Sequence, residues 1–104
     1  MAFTALFASN DEMAAGAVNE LRRRGRSVPR DVSVVGFDDV VFARASDPPL
    51  TTIGQKRFEI GQRAMQMMIE VIEERPLEQR QVIVPFELIV RGSTAPLPEQ
   101  AARR

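Results

Sequence analysis

A chain of 104 residues is at most one domain and fits equally well as part of one, since independent domains mostly run to about 100–150 residues. With 14 basic and 14 acidic side chains the formal net charge is zero, so no overall field draws the chain towards nucleic acid or an anionic membrane. The absence of Cys and His removes thiolate nucleophiles, disulfides, Cys/His zinc sites and imidazole acid–base chemistry, while 44% hydrophobic residues suffice for a core.

The opening MAFTALFAS has no basic leader and too short an apolar segment for a signal peptide, and no apolar stretch approaches the roughly 20 residues needed to span a bilayer. A soluble, cytoplasmic chain is expected. Thr4 to Ala8 is a short apolar run that meets the polar cluster Ser9-Asn10-Asp11. Beyond it, Ala14, Ala17, Val18 and Leu21 recur at helical spacing, so a helix begins at the cluster. Ser9 and Glu12 have capping-box spacing, and Asn10 or Asp11 offer alternative caps, because their side-chain oxygens accept the free amides of a first turn. Arg22, Arg23 and Arg24 fall on the last turn, where cations suit the dipole, and Gly25 supplies a permissive stop.

Val32 to Phe37 is β-branched and apolar on both faces apart from Ser33, the pattern of a strand covered on both sides in a parallel sheet. Strand, helix and strand with short joins form a crossover unit, so Ser9-Asn10-Asp11 and Asp38-Asp39 are expected at one edge of the sheet. Pro48-Pro49 fixes an extended segment, and LTTI from Leu50 to Ile53 continues it as a short strand. A second helix is expected from Gln55 to Glu74, with Phe58, Gly61, Met65, Met68, Ile69 and Ile72 on one stripe and Arg75-Pro76 as its end. From Val82 to Arg91 apolar residues alternate as in a strand, with Pro85 marking an edge or bend. Residues 97–104 are expected to be a disordered tail. The fold class is therefore α/β: a parallel, Rossmann-like sheet with flanking helices.

Ligands in open α/β sheets sit outside the carboxyl ends of the strands, which makes Asn10, Asp11, Asp38 and Asp39 one potential cluster. Asp11 and Asp39 are each fully accounted for by local amide bonds in a cap or turn. Asn10 and Asp38 are the expected ligand contacts. A carboxylate accepts and a carboxamide both donates and accepts, so the pair suits an uncharged ligand with hydroxyl or ring N–H groups and repels phosphate. The run Arg22 to Arg26 reads as a solvated helix end, and Met65, Met67 and Met68 as packing on the helical stripe. No phosphate-binding glycine loop occurs. Paired aspartates at a strand end also suit Mg²⁺-dependent phosphoryl transfer, but such sites need a further Asp and a strand-end Lys, and the one lysine, Lys56, sits at a helix start. No enzyme activity, metal or cofactor is expected.

The ordered segments TALFASNDEMAAGAVNELRRRGRSVPRDVSVVGFDD, PPLTTIGQ and ELIVRGST resemble the carboxyl-terminal part of the effector-binding core in lactose-repressor-type (LacI/GalR) transcription regulators. The resemblance covers about Thr4 to Pro96. It implies a partial periplasmic-binding-protein-like core over residues 1–96. Residues 4–51 would lie in the carboxyl-terminal subdomain, 52–85 would hold the crossover and a helix of the amino-terminal subdomain, and 86–96 would be the return strand. It also implies that Asn10 and Asp38 contact the effector, a sugar or nucleobase-like molecule, and that Gln55 adds a polar contact. The helix Asp11 to Arg24 and the loop Val40 to Asp47 resemble the family's dimer-forming elements, which gives Ala14, Ala15 and Val18 a second possible role. DNA would be reached only through a helix-turn-helix that this chain lacks. Without the rest of the core, the stripe Phe58, Met65, Met68 and Ile72 would be bare, and a homodimer or higher oligomer is expected. A periplasmic-type sugar-binding transport protein is the alternative with the same clamp.

Overall fold

The computed structural model describes residues 3–97, so the expected tail, apart from Leu97, lies outside the described residues. The apolar run after Phe3 forms β1 (Ala5–Phe7), and the helix begun by the polar cluster is α1 (Asp11–Arg23). Its end is a Schellman turn: Arg26 N–H reaches Leu21 O, Gly25 N–H reaches Arg22 O, and Gly25 adopts φ +79°. The chain then enters β2 (Ser33–Val35), which pairs with β1 in parallel, in the register Ala5↔Ser33, Leu6↔Val34 and Phe7↔Val35.

On its other side β2 is met by later parts of the chain. Val34 N–H donates to Ser93 O and Gly36 N–H to Thr51 O, both at 2.9 Å, and Thr51 bridges Val35 in the parallel sense. The core therefore lies along β2. Val32 and Val34 are fully buried, and they gather Ala14 and Val18 of α1 with Val28, Ala43 and Leu50. Each such Val or Leu contributes roughly 1.5–3 kcal/mol by leaving water.

Between β2 and the next strand the sequence suggested a plain loop, but Val41–Ala45 winds into a five-residue helix, α2, with Ala43 turned into the core. No side-chain cap announces it. The LTTI segment becomes β3 (Thr52–Gln55), which pairs with β4 (Phe86–Ile89). Gln55 thus closes a strand instead of opening the helix, and α3 runs Arg57–Ile72. The alternating stretch from Val82 forms a strand only beyond Pro85, which cannot donate to a ladder.

The described residues divide into two units. One comprises the residues up to Gly54 together with those from Glu87 onward, and the other is Gln55–Phe86. Within the second unit α3 buries none of its residues, and Phe58 (85% exposed) and Ile72 (68%) are bare. Met67, half-buried, helps line a shallow groove of about 230 Å³ with Ile60, Val82 and Val84. The helix closes in a second Schellman turn, Arg75 N–H to Glu70 O, with Glu74 at φ +58° in the place glycine usually takes.

Candidate functional site

Parallel pairing brings the carboxyl ends of β1 and β2 to one sheet edge. The Asp11 N–H donates to Phe37 O at 3.0 Å, so the residues next to Asn10 and Asp38 are joined directly across that edge. Asn10 is the N-cap of α1. Its backbone is extended, and its Oδ1 accepts Met13 N–H at 2.8 Å. That bond fixes the carboxamide with its oxygen towards the helix, leaving the NH₂ group as the donor presented elsewhere.

Asp38 and Asp39 follow β2 with φ of +106° and +57°, a left-handed pair of non-glycine residues. Such conformations cost on the order of 1–3 kcal/mol each and persist where surroundings over-determine them. The surroundings here are specific. Asp38 N–H donates to Ile53 O at 2.9 Å, and Val40 N–H donates to Asp11 Oδ2 at 2.8 Å. Asp39 Oδ1 lies 2.8 Å from Arg91 Nη2 and its Oδ2 3.2 Å from Arg44 Nη2. Burial pushes the Asp39 carboxyl up, but the guanidiniums of Arg91 and Arg44 outweigh it and hold the group below its ordinary value of 3.8.

The local role expected for Asp11 and Asp39 needs correction. Asp11 is fully buried and works at long range: besides Val40, its Oδ1 accepts the Thr52 hydroxyl at 2.6 Å. It ties α1, the β2 turn and β3 together. Asp39 is held by ion pairs to a helix and to the segment after β4. Ala14 and Val18 are likewise committed to the core, 0% and 4% exposed, and present no interface; the exposed apolar residue of α1 is Met13.

Sequence reasoning overlooked a polar seam beyond β4. Ser93 Oγ accepts Thr51 N–H at 2.8 Å and donates to Val34 O at 2.6 Å, and Thr51 Oγ1 lies 2.7 Å from Thr94 Oγ1. Arg91 adds its Nη1 to Leu50 O at 3.1 Å. The signal was present in LTT and RGST, two hydroxyl-rich segments flanking the second unit, but their pairing spans about forty residues of chain. The arginine run is a solvated helix end, where Glu20 takes Arg23 and Arg24 and is held down to about 2 by their hydrogen bonds. Gln55 ends β3 and falls in the second unit. Among the described residues no cluster of three or more acidic groups is placed to hold a metal ion, and no helix is long and apolar enough to cross a membrane.

Residues 2–94 match the periplasmic binding protein-like domain family. The chain belongs to that family. The resemblance to lactose-repressor-type regulators holds in the same comparisons: the HTH-type transcriptional repressor CytR of Escherichia coli (strain K12) is 42% identical over 95 residues, 91% of this chain and 28% of that protein. A LacI family transcriptional regulator of Enterococcus faecalis V583, solved with bound ribose, superposes with a TM-score of 0.85 at 38% identity, over 94% of this chain and 37% of the other. The lac repressor dimer bound to operator and the anti-inducer ONPF superposes with a TM-score of 0.81 at 34% identity, over 88% of this chain and 32% of that one. The chain spans between 28% and 37% of the length of these relatives.

Proposed function

We propose that this chain is the effector-sensing part of a transcription regulator, supplying one wall of a pocket for a small, neutral, hydroxyl-bearing molecule. The observation that supports the reading is that Asn10 and Asp38 follow β1 and β2 at one sheet edge, where Asp11 N–H donates to Phe37 O. Asn10, its oxygen committed to Met13 N–H, offers its NH₂ group, while Asp38 contributes a carboxylate from the left-handed turn one hydrogen bond away. A sugar hydroxyl accepts from the first and donates to the second. Phosphate would meet a carboxylate and is disfavoured. The ribose held by the Enterococcus regulator supports this class of ligand. Gln55 is proposed as a further contact on resemblance alone.

In the complete protein, ligand binding would favour one orientation of two lobes, and that differential affinity would be transmitted to a DNA-binding segment outside this chain. Dimerisation would go through α1, α2 and their connections; Val41, 87% exposed, and Met13, 59% exposed, are suitable apolar contacts. No catalytic role, cofactor or membrane partner enters this reading, and regulation is favoured over transport because the similar proteins carry regulators' names.

The test is ligand titration of the full-length regulator against D-ribose, D-glucose, maltose and adenosine, followed by Asp38→Ala. A hydrogen bond to a charged group is worth about 1.5–3 kcal/mol, so affinity should fall at least tenfold while operator binding without ligand stays unchanged. An unaltered dissociation constant would refute the site.

A further inference from the structure

We propose that Arg91 is a positioning residue for the ligand site, fixing through Asp39 the left-handed turn that presents Asp38; the assignment of a role in binding rests on the reading given above. Asp38 and Asp39 occupy consecutive left-handed conformations without glycine, so the turn requires an external hold. Its backbone is gripped at both ends, by Ile53 O at Asp38 and by Asp11 Oδ2 at Val40. The centre is gripped by the Asp39 carboxylate, whose side chain is only 10% exposed.

Of its two cationic partners, Arg44 is 70% exposed and sits 3.2 Å away, a geometry that water and salt weaken. Arg91 is 16% exposed at 2.8 Å and is itself held in place. Its Nη1 donates to Leu50 O, its backbone N–H donates to Thr51 Oγ1 at 2.9 Å, and its carbonyl accepts the Thr51 hydroxyl at 3.3 Å. A guanidinium braced on Leu50 and Thr51, the latter bridged to Val35 of β2, thus reaches the residue beside the proposed ligand carboxylate. A fork of fixed donors serves two acceptors at once here, which a lysine ammonium on a flexible stem does less well.

Hydrogen–deuterium exchange in the full-length regulator separates this role from general stabilisation. Asp39→Asn keeps the size and removes the charge; Arg91→Lys keeps the charge and loses the fork. In Asp39→Asn the amides of Gly36 to Val40 should exchange at least tenfold faster, well beyond any rise at β1 and α1 that follows from lower global stability, and Arg91→Lys should fall between Asp39→Asn and wild type. Affinity for whichever of D-ribose, D-glucose, maltose or adenosine the wild type binds should drop at least tenfold in Asp39→Asn. Unchanged exchange at the turn, an equal rise throughout, or outright unfolding of Asp39→Asn would overturn the proposal. If Asp38→Ala leaves affinity untouched, or no compound in the panel binds, the ligand reading fails by itself, and the exchange contrast alone decides whether Arg91 positions the turn.

Discussion

Asp11 packs directly on the backbone of Gly36. A Cβ at position 36 would lie 2.2 Å from Asp11 Oδ1 and 3.1 Å from Asp11 Cα. The glycine that ends the apolar run is needed for this approach, which lets the start of α1 settle onto the end of β2. Gly36→Ala must displace helix backbone as well as the carboxylate, and overpacking of this kind costs about 1–3 kcal/mol or more. Urea denaturation should show a lower midpoint for Gly36→Ala and an unchanged or higher one for Gly16→Ala, an exposed position inside α1 where a Cβ meets nothing within 4 Å and alanine is the better helix former.

Removing the Asp11 carboxylate leaves the Val40 amide without its acceptor and strips the buried Thr52 hydroxyl of a partner. Each unsatisfied buried group costs about 1–3 kcal/mol, so Asp11→Ala should destabilise by roughly 2–6 kcal/mol. Calorimetry should rank it well above Glu12→Ala, whose side chain is on the exposed face of the same turn.

The Asp39 ion pairs make stability depend on acid. The folded-state value is depressed below 3.8, so the stabilisation is fully present above that pH and is lost as pH falls through the folded value. Asp39→Asn should therefore be less stable than wild type at pH 7, and the two stability curves should converge below about pH 3.8. A gap that stays constant down to pH 2 would show that the charge is not the source.

Glu74 holds a left-handed conformation at the end of α3, at φ +58°. Glycine occupies that conformation without the side-chain penalty, although it also gains freedom in the unfolded chain. Glu74→Gly should raise stability by about 0.5–1 kcal/mol, seen as a higher thermal midpoint; Gly25→Glu, at the equivalent place on α1, should lower it.

The bare face of α3 should drive association of the 104-residue chain. At about 25 cal/mol per Å² of apolar surface removed from water, Phe58, Met65, Met68 and Ile72 together favour covering the stripe. Sedimentation velocity at micromolar concentration should show species larger than a monomer, and Met68→Glu with Ile72→Glu should shift the distribution towards it. A monomer in the unaltered chain at that concentration would remove this expectation.

The strand–helix–strand unit was legible because its signals are local: apolar runs, the Asn10 cap and Gly25 at the helix stop. The parallel pairing followed from joins too short for much else. Local signals failed where the decisive contacts are distant. Asp11 reads as a helix-start acid, yet its partners lie 29 and 41 residues away. α2 carries no cap and too few residues to show a period. The alternation after Val82 overstated its strand because Pro85 interrupts the donors. For the candidate site, position just beyond the strand ends pointed to Asn10 and Asp38, but the left-handed backbone of Asp38 and the brace from Arg91 depend on packing that no short window of sequence contains.

The most direct measurement is a crystal structure of the complete protein with a neutral sugar or nucleoside bound. The account predicts one ligand hydroxyl within about 2.7–3.2 Å of both Asn10 Nδ2 and an Asp38 carboxylate oxygen, with Asn10 Oδ1 still on Met13 N–H. A ligand seated away from this sheet edge, or one that meets neither side chain, would contradict it.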